Sequence, residues 1–252
     1  MATALAEAIA RLEERFGART VVTASTAEER AHERRFATGT SFDRLAGGIA
    51  SASALAFVAE GPSGKITLAL RAVAGAPADG GMACWVDPSR SFDPLAAHRA
   101  GVDLPRLIVV RPSSRDGVLL AASAALRSEG FRLVVADLGP SFAAIAEVDD
   151  LAPLLPLVRG STSALLVLSD APGRRVLIPT YEMERMAWER RFGRTSGWTF
   201  GIRRVGAHRE DRTILHVGRL GGELGPLRGI GSSSLLPMSD AGLRSGLREA
   251  VG

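Results

Sequence analysis

The chain has 252 residues, of which 46% are apolar and 23% charged, enough to bury the core of one large or two small globular domains. Its single cysteine, Cys84, excludes an internal disulfide framework, and the apolar run around it predicts a buried, unreactive thiol. The net charge is +4, and Lys65 is the only lysine, so the placement of the arginines matters more than their number.

No apolar stretch reaches the roughly 20 residues that span a bilayer, and the N-terminus lacks the pattern of a signal peptide. We therefore expect a cytoplasmic protein without a membrane partner. The four histidines are scattered without metal-ligand spacing, so no metal site is predicted.

The N-terminal segment has the spacing of an amphipathic helix over residues 4–16. Leu5, Ile9, Leu12 and Phe16 share one face, and Gly17 follows as a helix stop. Residues 20–36 are polar and predict a loop with a short helix near 28–35. We treat residues 1–36 as an N-terminal helix and linker.

The central segment alternates short apolar runs with helical patterns, which is typical of a parallel sheet buried on both faces. The five predicted strands are residues 54–58, 82–86, 107–110, 131–137 and 164–168. A single helix is predicted over 147–159, and residues 199–205 and 212–218 alternate like an antiparallel hairpin. The fold class is therefore α/β, with a core over 37–220 and a flexible tail over 221–252 that holds a short helix at 239–251.

The segment 59–67 lies between the first predicted strand and a helix, where a phosphate loop G-x-x-x-x-G-K-[ST] is expected. Gly64 and Lys65 match this motif. Ala59 replaces the first glycine, which hinders the loop conformation that points N–H groups at phosphates. Ile66 replaces the hydroxyl residue and cannot ligate Mg²⁺.

Asp137 ends the fourth strand, where an acidic side chain faces the metal of a bound nucleotide; alternatively it caps the following turn. We expect no required cofactor, weak binding of ATP and Mg²⁺ at most, and no catalytic residue. The remnant nucleotide-binding residues are Gly61, Ser63, Gly64, Lys65, Thr67 and Asp137.

The segment 182–194 interleaves arginines with aromatic residues, a composition that binds single-stranded DNA through phosphate contacts and base stacking. The alternative is a helix with Met183 and Met186 on its core face and the arginines in solvent. The candidate DNA-binding residues are Arg174, Arg175, Arg185, Arg190, Arg191, Arg194, Arg203 and Arg204.

Several of these segments resemble bacterial RecA. Residues 4–17 resemble its leading helix, residues 37–48 resemble its S-T-G-x-x-x-L-D-x-x-L-G-G segment, and residues 93–107 follow its D-P-x-Y-A-x-x-L-G-V-D-x-x-x-L segment. The resemblance extends over about residues 1–140 and implies a RecA-like P-loop core.

Departures from RecA bear on function. Ser89 stands where the D-A-E-H-A-L-D-P segment of RecA carries its catalytic glutamate, and serine cannot activate water as a carboxylate does. The first DNA-binding loop, expected after Gly139, is short. The second, within 169–184, begins with Ser169-Asp170 instead of glutamine, and we expect no counterpart of the C-terminal domain of RecA.

In size and layout the chain is most similar to the ImuA family of RecA-like proteins from bacterial mutagenesis cassettes. That resemblance implies an accessory role in the SOS response and translesion synthesis, with RecA or a translesion polymerase subunit as partner and single-stranded DNA as a further candidate. The N-terminal helix, which docks on a neighbouring subunit in RecA, would bind RecA or a second copy, or pack on its own domain. An active DNA-dependent ATPase of recombinational repair and a cell-division or checkpoint regulator are the alternatives.

Overall fold

The protein is described by a computed structural model that covers residues 35–76, 80–139, 148–170, 178–191, 194–206 and 212–218, together with Arg11. The predicted helices at 4–16 (apart from Arg11) and 239–251, the tail over 221–252, and the pair Arg174 and Arg175 lie outside the described residues.

An eight-stranded sheet forms the centre of the fold, and a two-stranded antiparallel sheet precedes it. The small sheet pairs β1 (Arg35–Phe36) with β2 (Ile49–Ala50). The large sheet consists of β3 (Ala54–Val58), β4 (Met82–Val86), β5 (Leu107–Val110), β6 (Phe131–Leu138), β7 (Ala164–Ser169), β8 (Thr180–Arg191), β9 (Arg194–Arg204) and β10 (Arg212–Gly218). Its strand order is β10-β9-β8-β3-β7-β6-β4-β5.

Strands β3 to β8 form a parallel region, and β9 and β10 add two antiparallel strands at one edge. All five apolar runs that the sequence pattern assigned to strands are strands of this parallel region, which confirms the predicted fold class. The hairpin predicted over 199–205 and 212–218 is also confirmed as β9 and β10.

The described residues include five α-helices. They are α1 (Phe42–Ala46), α2 (Lys65–Gly75), α3 (Pro94–Arg99), α4 (Arg115–Arg127) and α5 (Leu155–Gly160). The Asp93 side chain caps α3 by accepting a hydrogen bond from the Leu95 N–H, and the Ser114 hydroxyl caps α4 through the Gly117 N–H. Short 3₁₀ helices occur at Leu104–Arg106 and Val148–Leu154.

The two faces of the sheet bury separate cores. Leu55 and Phe57 of β3 pack with α1, α2 and α3, whereas Ala56 and Val58 pack on the opposite face with α4 and α5. This alternation follows from the two-residue period of a strand. Because both faces are covered, the parallel strands read as continuous apolar runs rather than alternating ones.

Two predicted elements need correction. The helix given as the alternative for segment 182–194 is wrong: residues 182–191 belong to β8, in which Tyr181 and Met183 are buried and Glu184 is exposed. More buried and more exposed side chains alternate along this strand with a period of two residues. A β-bulge between Arg185 and Ala187 interrupts the regular pairing with β9. The single helix predicted over 147–159 is divided into a 3₁₀ helix, which contains Pro153, and α5.

Within the described part of the chain, no helix is long and apolar enough to cross a membrane.

Candidate functional site

The candidate phosphate loop connects β3 to α2 and ends at Gly64, which precedes the first residue of the helix. Gly64 has φ +81°, a left-handed conformation that side chains rarely adopt. A Cβ atom on Gly64 would also lie 2.8 Å from the Phe200 ring of β9. Both observations require glycine here, so this part of the motif is held by packing as well as by backbone geometry.

Lys65, the first residue of α2, is buried and already has three acceptors. Its Nζ donates to the backbone oxygens of Ala59 (2.7 Å) and Ser169 (3.1 Å) and forms an ion pair with the Asp170 carboxylate. An ammonium group has three N–H donors, so these contacts saturate it. The chain's own carboxylate thus holds the lysine that a phosphate loop would offer to a nucleotide.

Sequence reasoning identified Lys65 but missed Asp170 as its partner. Strands β3 and β7 are parallel neighbours, with Val58 opposite Ser169, so the residues that follow them meet at the carboxyl edge of the sheet. A signal was available, because Asp170 directly follows a buried apolar strand. The same signal identified Asp137.

Asp137 lies two strands away from the phosphate loop, near the end of β6, and is buried. Burial raises its pKa from 3.8 to about 6, and the negative charge of nearby Asp87 adds to the shift. The Ser91 hydroxyl, 3.3 Å from Asp137 Oδ2, and the positive charge of Lys65 act in the opposite direction. Asp137 therefore ionises at a higher pH than an ordinary aspartate does.

Asp87 follows β4 and is a second fully buried carboxylate that the sequence pattern did not single out. It accepts hydrogen bonds from the backbone N–H groups of Ser91 (2.8 Å) and Phe92 (3.2 Å), and the Arg111 guanidinium lies 3.3 Å away. These contacts stabilise the loop that carries Ser89.

Ser89 lies close to these carboxylates. Its hydroxyl is 3.1 Å from the Ser91 hydroxyl. Gly139, the residue that follows β6, is also close: a Cβ atom added there would lie 3.2 Å from the Ser89 hydroxyl. A hydroxyl in this position can donate or accept a hydrogen bond but cannot serve as a general base near neutral pH. Ser89 therefore does not supply the water-activating group that a glutamate at this position would supply.

A cavity of about 420 Å³ opens beside the phosphate loop. Five of the six predicted nucleotide-binding residues line it, namely Gly61, Ser63, Gly64, Lys65 and Thr67. Asp137 is not among the lining residues. The opposite wall is apolar and aromatic, formed by Trp188 of β8, Trp198 and Phe200 of β9 and Val217 of β10. Sequence reasoning assigned none of these four residues to the site, because they come from strands far along the chain.

The predicted DNA-binding arginines whose side chains the structure describes, Arg185, Arg190, Arg203 and Arg204, have different surroundings. Arg185 stacks on Trp188, with its guanidinium carbon 5.0 Å from the ring centroid. Arg203 is ion-paired with Glu182 on the neighbouring strand. Since successive residues of a strand point to opposite faces, Arg203 and Arg204 lie on different sides of β9.

The remaining described arginines of this set lie toward the far ends of β8 and β9. Arg190 is exposed opposite Thr195, and Arg191 pairs in register with Arg194. Over the described residues, no group of three or more His, Cys, Asp or Glu side chains could hold a metal ion.

The residues present do not fit a bound complex of ATP and Mg²⁺. Lys65 is saturated, Ile66 offers no hydroxyl where the motif needs one, and burial raises the pKa of Asp137, which disfavours the ionised form that would bind a metal. What the site retains of the motif is its backbone: a strand, a loop ending in a left-handed glycine, and a helix.

The strand-loop-helix unit within a mostly parallel sheet defines a P-loop α/β protein. The family model for the RecA N-terminal domain matches residues 3–152, more than half of the chain. The chain belongs to the RecA N-terminal domain family.

Curated relatives carry the name Protein RecA. The protein from Clostridioides difficile is 38% identical over 87 residues, which cover 34% of this chain and 25% of the relative. That from Chlorobaculum parvum is 43% identical over 75 residues, or 30% of this chain and 22% of the relative. The chain thus spans only about a quarter of the length of the curated relatives that it matches.

Proposed function

We propose that the chain is a RecA-fold accessory protein of the bacterial DNA damage response, which binds partner proteins and hydrolyses little or no ATP. The observation that carries this proposal is the saturation of Lys65 by Asp170 and two backbone oxygens. Ser89 and Ile66 support it, because neither can perform the step that the corresponding residue of the motif performs.

RecA or a translesion polymerase subunit is the partner that the resemblance to the ImuA family supports, in SOS mutagenesis. Self-association through residues 4–16, a cytoplasmic location and a core over residues 37–220 remain predictions of the same proposal. An active recombinational ATPase needs a free Lys65 and a water-activating acid, so the geometry gives it no support.

The first test measures ATP hydrolysis by the full chain with Mg²⁺, with and without single-stranded DNA. We expect no turnover above that of the Ser89→Ala variant, which removes a hydroxyl that has no catalytic part in this proposal. Hydrolysis that DNA stimulates severalfold would contradict the accessory role.

The second test asks whether Asp170 prevents Lys65 from binding a phosphate group. Asp170→Asn keeps the size of the side chain and removes its charge, so it frees Lys65 for an external anion. We expect the affinity for pyrophosphate, measured by calorimetry, to rise about tenfold or more. Asp150→Asn, a carboxylate paired with Arg115 on the surface, is the matched control and is expected to change nothing.

Single-stranded DNA binding is a second candidate, favoured by the Arg185 guanidinium stacked on the half-exposed Trp188 ring. Anisotropy of a labelled oligothymidine should then rise with the wild type and rise less for Arg185→Ala, with a strong salt dependence. Arg203→Ala is the control, because Arg203 is ion-paired with Glu182. Equal binding by both variants would argue against this surface.

A further inference from the structure

The cavity beside the phosphate loop has apolar side chains where a phosphate site has polar ones. Ile66, in the first turn of α2, is 38% exposed and lines the cavity at the position of the missing metal-binding hydroxyl. The Phe200 ring covers Gly64 from the other side. The substitution that removes metal chemistry therefore also creates a hydrophobic wall.

A bulge in β8 completes this wall. Beyond the bulge between Arg185 and Ala187, Trp188 pairs in register with Trp198, and their ring centroids are 5.6 Å apart. Both rings line the cavity together with Phe200 and Val217, and Trp188 is 42% exposed. A contiguous apolar patch of this kind, rather than a single exposed ring, marks sites that bind a partner or a ligand.

The polar groups of the cavity are few and point to a ligand. The Ser63 hydroxyl is buried, at 3% exposure, and has no hydrogen-bond partner among the described residues. A buried hydroxyl without a partner costs free energy that a ligand could recover by supplying one. Ser63 lines the cavity, so the missing partner would enter through it.

The charged residues that line the cavity are basic. Arg99 of α3 lines it and is exposed, and Arg185 stacks on the lining residue Trp188. Among the lining residues that the structure describes, none is acidic. Lys65 is already paired with Asp170, so the arginines carry the charge that an arriving segment would meet.

We propose that this cavity is a docking pocket for a partner protein, which inserts one large hydrophobic side chain from an acidic segment. The inference rests on the proposed accessory function and names the chemistry of its partner. The volume of about 420 Å³ accommodates a Trp, Phe or Leu side chain with a neighbouring residue. Acidic flanking residues would meet Arg99 and Arg185, and a backbone or side-chain group would pair with Ser63.

A protein side chain fits this pocket better than a nucleobase does. The Trp188 and Trp198 rings are inclined by 55°, so they do not form a parallel slot that could hold a base on both faces. Leu70, Ala96 and Ala100 make the remaining wall aliphatic. Buried anchors surrounded by apolar contacts are the usual source of affinity at protein interfaces.

The test begins with peptides displayed on phage and selected on the immobilised full chain, with counter-selection on the Trp188→Ala variant. We expect enrichment of acidic sequences that contain one Trp, Phe or Leu. No enrichment above the unselected library, or enrichment of basic sequences, would overturn the proposal.

The most enriched peptide is then synthesised and titrated against the full chain by calorimetry. Trp188→Ala and Ile66→Thr should each weaken binding about tenfold, and Arg99→Ala should weaken it about threefold while reducing its salt dependence. Leu120→Ala is the matched control, since Leu120 on α4 is exposed and does not line the cavity; it should leave the affinity unchanged.

Equal binding by all four variants would overturn the proposal, because the peptide would then bind elsewhere. Displacement of the peptide by oligothymidine at equal or lower concentration would overturn it in favour of a nucleic-acid pocket. Failure of the proposed function has a separate readout, namely DNA-stimulated ATP hydrolysis, which can appear whether or not a peptide binds.

Discussion

Two clusters of charged residues lie at the carboxyl edge of the same sheet, and they neutralise charge in different ways. Beyond β3 and β7, the ammonium of Lys65 is paired with the carboxylate of Asp170. Beyond β4 and β6, two buried carboxylates, Asp87 and Asp137, lie near each other, and burial with like charge raises the pKa of Asp137 to about 6.

The difference shows how neighbours decide the fate of a buried charge. An opposite charge at contact distance satisfies Lys65, whereas burial, and then the like charge of Asp87, raises the pKa of Asp137. Both solutions reduce what the edge can offer a triphosphate and its metal. The first pairs the Lys65 ammonium with a carboxylate of the chain itself, and the second disfavours the ionised form of Asp137.

The largest expected effect is at the first cluster. Lys65→Ala leaves the Asp170 carboxylate without its cation, and we expect it to lower the free energy of unfolding by about 3–5 kcal/mol. Chemical denaturation measures this loss. The double variant Lys65→Ala/Asp170→Ala should recover part of it, and a double variant as unstable as the single one would mean that the loss does not come from leaving the Asp170 charge unpaired.

Gly64→Ala tests the backbone that presents Lys65. The left-handed φ and the approach to Phe200 predict a loss of about 2–3 kcal/mol. Gly61→Ala is the matched control, because Gly61 also has a positive φ but an added methyl group there would meet nothing within 4 Å, so its loss should be about 1 kcal/mol. Equal losses would show that the Phe200 contact is unimportant.

Asp137→Asn tests the second cluster through its pH dependence. Between about pH 4 and 6 the unfolded chain loses the Asp137 proton while the folded chain retains it, so stability falls as the pH rises. The variant removes this cost and should exceed the wild type by about 1–3 kcal/mol at pH 7.5, but not at pH 4. Thermal unfolding at both pH values measures it, and a variant less stable at pH 7.5 would contradict the shift.

The smallest effect concerns Cys84, in the core on the α4 side of the sheet. Burial raises the pKa of its thiol to about 11, so almost no thiolate is present at pH 8. We expect no reaction with a thiol-specific disulfide reagent in the folded protein and complete reaction in denaturant. Rapid labelling of the folded chain would mean that this face of the sheet opens readily.

Local sequence patterns predicted the features that depend on neighbouring residues. The five apolar runs, the glycine and lysine of the loop, the acidic end of β6 and the buried thiol all follow from periodicity and composition over a few residues. Segment 182–194 was not predicted as a strand, because the bulge after Arg185 disturbs its alternation.

The tertiary structure alone decided which residues meet. Asp170 reaches Lys65, 105 positions earlier, because β7 lies beside β3, and Trp188 faces the phosphate loop because β8 is the other neighbour of β3. Local spacing specifies which strands form and which of their faces are apolar. It does not specify the strand order, and only that order brought the carboxylate and the tryptophans to Lys65 and its loop.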